Sequence, residues 1–102
     1  MSPTPAWLRE AAWERAEELC EAMIPQARPQ CQWYGTDLHH RKKRSAGGKH
    51  ELVNGLWVCR FCHQYLEAHP AWSFERGLLV HGWDEPSWPP RYFRGVMREE
   101  ET

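Results

Sequence analysis

The sequence predicts a small α+β fold, in which one long helix precedes a compact unit of two short strands and a helix. Three observations support this prediction. The N-terminal quarter of the chain places apolar side chains at helical spacing. Two short apolar stretches then flank a polar loop that contains Gly47 and Gly48, whose backbone freedom suits a tight loop. From Gly82 onward, closely spaced prolines exclude a long regular element.

Residues 4–24 are predicted to form an amphipathic helix that packs on the rest of the domain. Thr4 suits the N-cap and Pro5 the first helical position, and Pro25 ends the helix. The predicted apolar face comprises Leu8, Ala12, Ala16, Leu19 and Met23. A helix that instead docks a partner or a second copy of the chain is the alternative.

Residues 28–82 are predicted to form the core of the domain, and residues 83–102 an extended, proline-rich tail. The elements expected in the core are a strand at 37–41, a polar loop at 42–50, a strand at 56–58, a helix at 61–68, a further helical turn at 71–77 and a strand or extended segment at 78–80. Strand, loop, strand and helix together make a ββα unit. A chain of 102 residues is expected to form one domain, with a core small enough to benefit from a metal ion.

The charge is unevenly distributed along a chain whose net charge is only -1. Acidic residues concentrate in the first helix and at the C-terminus. Positive charge concentrates in the polar loop, at Arg41, Lys42, Lys43, Arg44 and Lys49. A local basic run is what a polyphosphate such as DNA requires, and we expect these five residues to contact backbone phosphates. A merely solvated loop is the alternative.

The sequence carries no run approaching the roughly 20 apolar residues of a membrane span. Its first residues also lack a basic and then apolar export signal. We therefore expect a cytoplasmic protein without a membrane partner. Thiols stay reduced in that compartment, so the four cysteines are expected to be metal ligands or free thiols. Seven tryptophans exceed what so small a core can enclose, and they serve packing or offer stacking platforms for unpaired bases.

Histidines at fixed offsets are the most specific motif in the chain. The first predicted strand carries His39 and His40, Asn54 follows the loop, and His63 comes directly after a Cys-x-x-Cys. Histidine ligates transition metals and accepts protons near neutral pH. The combination resembles the HNH endonucleases of the ββα-metal class, and more narrowly their small phage-encoded members. The resemblance covers roughly residues 28–82 and is carried by Leu38-His39-His40-Arg41, Gly47-Gly48, Asn54, Cys59-x-x-Cys62-His63, His69-Pro70-Ala71 and Gly77-Leu78-Leu79-Val80.

The resemblance implies specific roles for these residues. His40 would be the general base, and His39 and His63 would hold a divalent cation such as Mg²⁺, Mn²⁺, Ni²⁺ or Zn²⁺. Asn54 would hydrogen-bond the loop that carries the histidines. Glu67 is a candidate third ligand, because it lies four residues after His63 and would share its helix face.

Asp37 is a weaker candidate, either as a ligand or as a hydrogen-bonding partner of a ligating histidine.

The cysteines suggest a second, structural metal site for zinc. Cys59 and Cys62 have the spacing of a zinc knuckle. Members of the resembled family often supply another Cys-x-x-Cys, of which only Cys31 is present here, because Tyr34 occupies the second position. Three cysteines leave a tetrahedral zinc one ligand short. Cys20 or water could complete the site, or the site could be empty.

The expected function is therefore that of a metal-dependent endonuclease that nicks or cuts duplex DNA with little sequence specificity. By analogy with phage-encoded members, the protein would act in a bacterial host cytoplasm, in genome packaging with phage packaging proteins as partners, and homing is the alternative. The alternative is a non-catalytic, zinc-finger-like module that binds nucleic acid or a protein. The sequence does not indicate the oligomeric state, the preferred metal or the cut site.

Overall fold

The computed structural model describes residues 3–27 and 33–98, and within them it has the predicted α+β class. These residues form three helices and two small antiparallel sheets, each of two strands. The elements in chain order are α1 (Ala6–Ala16), β1 (Asp37–His40), β2 (Gly55–Val58), α2 (Arg60–Ala68), α3 (Pro70–Glu75), β3 (Tyr92–Phe93) and β4 (Val96–Met97). In this part of the chain, no helix is both long and apolar enough to cross a membrane.

Helix α1 is shorter than predicted at both ends. It begins at Ala6, with Pro5 at the N-cap position that we assigned to Thr4. It ends at Ala16, because Glu17 and Glu18 adopt left-handed backbone angles with φ of 54° and 68°. The Glu18 N–H then donates to the Trp13 carbonyl, which closes the helix end. The prediction of a helix through residue 24 is therefore wrong.

The predicted packing face of α1 is correct for the part that is helical. Leu8, Ala12 and Ala16 are fully buried, each one turn apart. Met23 is also buried, but it reaches the core from the segment after the helix. This segment runs beside residues 33–35, where Leu19 bridges Tyr34.

The central hairpin of β1 and β2 is close to the predicted pair of strands. Its register places His39 opposite Leu56 and His40 opposite Gly55. Helix α2 follows β2 after a single residue, Cys59, whose sulfur accepts a hydrogen bond from the Cys62 N–H and caps the helix. Helix α2 also packs on β1, so β1, β2 and α2 form one packed unit.

Two predictions for the C-terminal third are wrong. Leu78 to Val80 is not a strand, because the Leu78 and Leu79 N–H groups both turn back to the Ser73 carbonyl. The chain after residue 82 is not a simple extended tail either. Strands β3 and β4 form a hairpin that binds the segment after α1, and Tyr92 is buried in the core. Residues 99–102 of the predicted tail lie outside the described residues.

A buried ion pair joins these parts. The Glu21 carboxylate is fully buried and accepts hydrogen bonds from the Arg15 side chain at 2.6 and 3.0 Å and from the Trp57 N–H at 2.8 Å. Arg15 also donates to the carbonyls of Leu52 and Gly55, each at 2.8 Å. The pair therefore fixes α1 against the entry of β2.

Replacing Glu21 with alanine should destabilise the protein by about 3–5 kcal/mol, because Arg15 would keep a desolvated charge without its partner. Urea denaturation followed by far-UV circular dichroism measures the change. Glu14→Ala is the matched control, since Glu14 is exposed on α1, and its effect should stay within about 0.5 kcal/mol. Equal effects of the two variants would contradict the role of the ion pair.

Candidate active site

Three candidate metal ligands converge between β1 and α2. His39, His63 and Glu67 each offer one ligand atom, and these atoms all lie within 4.8 Å of one another. Glu67 Oε1 lies 3.5 Å from His39 Nδ1 and 3.8 Å from His63 Nε2. Ligands of one cation at bond lengths of roughly 2 Å lie about 3 to 3.5 Å apart. A small contraction of this cluster would therefore let it hold a metal ion.

Hydrogen bonds orient both imidazoles toward that common centre. His39 Nε2 donates to the Leu78 carbonyl at 2.8 Å, which leaves the Nδ1 lone pair facing Glu67. His63 Nδ1 lies 3.1 Å from Asp37 Oδ2, which leaves Nε2 on the side of Glu67. A carboxylate or carbonyl behind a histidine ligand fixes its tautomer and raises its basicity. Asp37 thus occupies the position of a supporting partner rather than that of a ligand.

Burial and hydrogen bonding set the charge states of this cluster. His39 is almost completely buried, and burial lowers its pKa to about 4, so its ring is neutral at neutral pH. Burial alone would raise the pKa of Asp37, but hydrogen bonds from His63, Arg60 and Thr36 lower it overall. A neutral imidazole is the form of His39 that binds a metal ion, and an ionised Asp37 is the form that supports His63 through a hydrogen bond.

His40 lies at the edge of the same cleft but makes a different contact. Its Nε2 lies 3.1 Å from Nδ1 of His50, and the two rings meet edge to face. Burial lowers the pKa of His40, and the nearby charges of His50 and Arg44 lower it further. His50 was not among the predicted site residues. Its only signal in the sequence is its place in the loop between His40 and Asn54.

Asn54 holds the loop, as its predicted role requires. It is buried, and its Oδ1 accepts from the Lys42 N–H at 2.7 Å. Its Nδ2 donates to the carbonyls of Lys42 at 3.0 Å and Lys49 at 3.2 Å. Gly48 lies so close to this bridge that a Cβ there would meet the Lys42 carbonyl oxygen at 1.8 Å. Both ends of the loop after His40 are thus bound to one side chain.

The basic run does not form one exposed patch, which corrects the prediction for Arg41 and Lys42. Arg41 is 2% exposed and donates to the carbonyls of Gly77, Val53 and Ser87. Lys42 is also buried, and its Nζ donates to the Asp84 carbonyl. These two cations join the loop to distant segments, so they are not available to phosphates.

The remaining basic residues are exposed. Lys43 and Arg44 line a cleft beside the metal-ligand cluster, whereas Lys49 lines a separate, small pocket next to Asn54. Lys43 Nζ also lies 3.0 Å from Glu67 Oε2. This histidine cleft has a volume of about 350 Å³, enough for a cation and a phosphate group, and its polar walls are His39, His40, Lys43, Arg44, His63 and Glu67.

The cysteines form a second cluster at the start of α2. The sulfurs of Cys20, Cys59 and Cys62 lie within 4.8 Å of one another, and all three residues are buried. Backbone N–H groups of Met23, Ile24 and Cys62 donate to these sulfurs at 3.3 to 3.4 Å. Such donors stabilise thiolates, so this cluster also could hold a metal ion.

Cys20 reaches the cluster because it is not in the helix where the sequence analysis placed it. The early end of α1 lets the Cys20 N–H donate to the Trp33 carbonyl at 2.6 Å, which brings its sulfur beside Cys62. A hydrogen bond from the Cys62 thiol lowers the pKa of Cys20 to about 5 and raises that of Cys62. Cys31, the third predicted zinc ligand, lies outside the described residues. Tyr34, at the position of the missing cysteine, is exposed.

Comparison with known proteins adds no assignment. No protein family matches the chain, and neither a curated protein nor a solved structure shows significant similarity to it.

Proposed function

We propose that this protein is a metal-dependent endonuclease of the ββα-metal type, which hydrolyses phosphodiester bonds in DNA. The observation that carries the proposal is the convergence of His39, His63 and Glu67 beside a separate histidine, His40, in one cleft. A histidine that only packs in a core has no need to point at a carboxylate. Here two imidazoles point at Glu67, and each makes a hydrogen bond through its other ring nitrogen. The surrounding strand, loop, strand and helix agree with the resemblance found in the sequence.

Hydrolysis needs a base for water and stabilisation of charge at the phosphate. A divalent cation such as Mg²⁺, Mn²⁺, Ni²⁺ or Zn²⁺ on His39, His63 and Glu67 would supply Lewis acidity at the phosphate and the leaving oxygen. His40 accepts a proton from water through Nδ1, the ring nitrogen that does not face His50. The resulting hydroxide attacks phosphorus, the bond to the leaving oxygen breaks, and that oxygen takes a proton from water.

Residues around the cleft position the loop and the substrate. Asn54 keeps the segment after His40 closed through its bonds to Lys42 and Lys49. Lys43 and Arg44 are exposed at the cleft and suit contact with backbone phosphates. Such contacts carry no base information, so sequence specificity is low. A role in phage genome packaging within a bacterial cytoplasm fits this activity by analogy alone.

The wild-type protein should nick supercoiled plasmid in the presence of Mg²⁺, Mn²⁺ or Ni²⁺, and excess chelator should abolish nicking. His40→Ala should lower the rate by about 10²- to 10⁴-fold, which is the usual contribution of a general base. His69→Ala is the matched control, because His69 is exposed and stacks on Tyr65 outside the cleft. Its rate should equal that of the wild type.

Full activity of His40→Ala, or of the wild type in chelator, would contradict this mechanism. Tight DNA binding without nicking under any of these metals would favour the non-catalytic binding module instead.

The contact between His40 and His50 predicts that His50 positions the base. His50→Phe keeps a ring but removes the partner of His40 Nε2, and should lower kcat by up to about 100-fold with little change in KM. His50→Asn places an amide near the position of Nδ1 and should recover most of kcat. Plasmid nicking at varied DNA concentration gives both constants. Equal losses in the two variants would point to a packing role only.

We also propose that the cysteine cluster binds a structural zinc ion. Cys20, Cys59 and Cys62 supply three sulfurs in a buried site with N–H donors, which fits the zinc preference for thiolate. The metal would stabilise the start of α2, and therefore the position of His63.

Mass spectrometry of metals in the purified protein should give about one equivalent of zinc per chain at this site. Cys20→Ser should lower the zinc content and the melting temperature together, because zinc binding contributes folding free energy. Cys31→Ser, measured in parallel, decides whether Cys31 is the fourth ligand. Full zinc retention in Cys20→Ser would exclude Cys20 from the ligand set.

A further inference from the structure

Three aromatic rings form a continuous stack that ends in solvent. Phe74, on α3, stacks on His81 with ring centroids 3.7 Å apart and planes within 2°. Trp83 stacks on the other face of His81 at 4.4 Å and 7°. The Asp84 N–H donates to the His81 carbonyl at 3.0 Å and closes the turn that folds Trp83 back. Trp83 is 80% exposed, so its outer face adds little to the core.

The stack lies next to the loop that borders the histidine cleft. Gly82 packs so closely on this loop that a Cβ there would lie 3.1 Å from the Ala46 carbonyl oxygen. Arg44, two residues before Ala46, lines the cleft. The Val80 N–H also donates to the Arg41 carbonyl at 2.8 Å and anchors the segment beside β1. Trp83 therefore directly follows a residue that packs on the loop lining the cleft.

Charges of both signs lie near the stack, and the exposed cations are on the loop that borders the cleft. Arg44 and Lys49 are exposed on the adjoining loop. Two acidic residues, Asp84 and Glu85, follow Trp83, and Lys42 Nζ lies 3.6 Å from the Glu85 carboxylate and offsets its charge. A flat aromatic face beside exposed cations is the combination that binds single-stranded nucleic acid.

We infer that the outer face of Trp83 binds an unpaired nucleobase of the strand whose phosphate enters the histidine cleft. Bases inside a duplex already stack on both faces, so only an unpaired or terminal base offers a free face to Trp83. The substrate class is therefore DNA with an unpaired segment, such as a single strand, a gap or a flap. This inference rests on the proposed nuclease function, but stacking can be measured without cutting.

The test measures fluorescence anisotropy of labelled single-stranded oligothymidylate, and the displacement of that strand by a relaxed closed-circular duplex, without added divalent metal. Trp83→Ala should weaken binding of the single strand by about 5- to 150-fold, the range for loss of one stacked base, and binding of the closed duplex by less than about twofold. Trp83→Phe should retain most of the affinity. Trp7→Ala is the matched control, since Trp7 is 55% exposed on α1, and should bind like the wild type.

An unchanged affinity of Trp83→Ala for the single strand would overturn the inference. Equal losses of affinity for both DNA forms would also overturn it, as would a loss in Trp7→Ala equal to that in Trp83→Ala. An unchanged melting temperature excludes a folding defect in Trp83→Ala. Plasmid nicking is scored separately. If the protein nicks plasmid and Trp83→Ala has no effect on binding, the nuclease proposal stands and the base-stacking role of Trp83 is rejected. If binding depends on Trp83 but no nicking occurs, the stacking role stands and the nuclease proposal is rejected.

Discussion

The ion pair between Arg15 and Glu21 is the contact on which the rest of the structure depends. Arg15 binds the carbonyls at the start of β2, and Glu21 binds the Trp57 N–H within that strand. The backbone of Glu21 also accepts from Arg94 in the turn between β3 and β4. Both charges are held away from bulk water, so each requires the other. One pair of side chains thus joins the first helix, the central hairpin and the C-terminal hairpin.

Much of the candidate site is formed by residues that lie close together in the sequence. For this reason the sequence could predict these residues as candidates. Strand alternation places Asp37 and His39 on one face, and the i, i+4 offset places His63 and Glu67 on one side of α2. A strand pair followed at once by a helix brings these two faces together. The α+β class and the positions of β1, β2 and α2 followed from the same periodicities and were predicted to within about two residues.

The features that sequence reasoning missed depend on contacts between distant segments. Nothing local marks Glu17 and Glu18 as the end of a helix, because residues other than glycine seldom adopt positive φ. The position of Cys20 was missed for this reason. The burial of Arg41 depends on carbonyls that Gly77 and Ser87 present from the far end of the chain. The partnership of His40 with His50 requires the loop to fold back on itself.

The cysteine cluster joins residues some forty positions apart in the chain, and His63 directly follows one of its members. A cation on these sulfurs would act as a cross-link that restricts the unfolded chain, since closing a long loop has an entropic cost. It would also hold in place the backbone that carries a ligand of the other cluster. Linkage is reciprocal, so filling either centre would raise the affinity of its neighbour. Occupancy of the two centres would then be cooperative, although no ligand is shared between them.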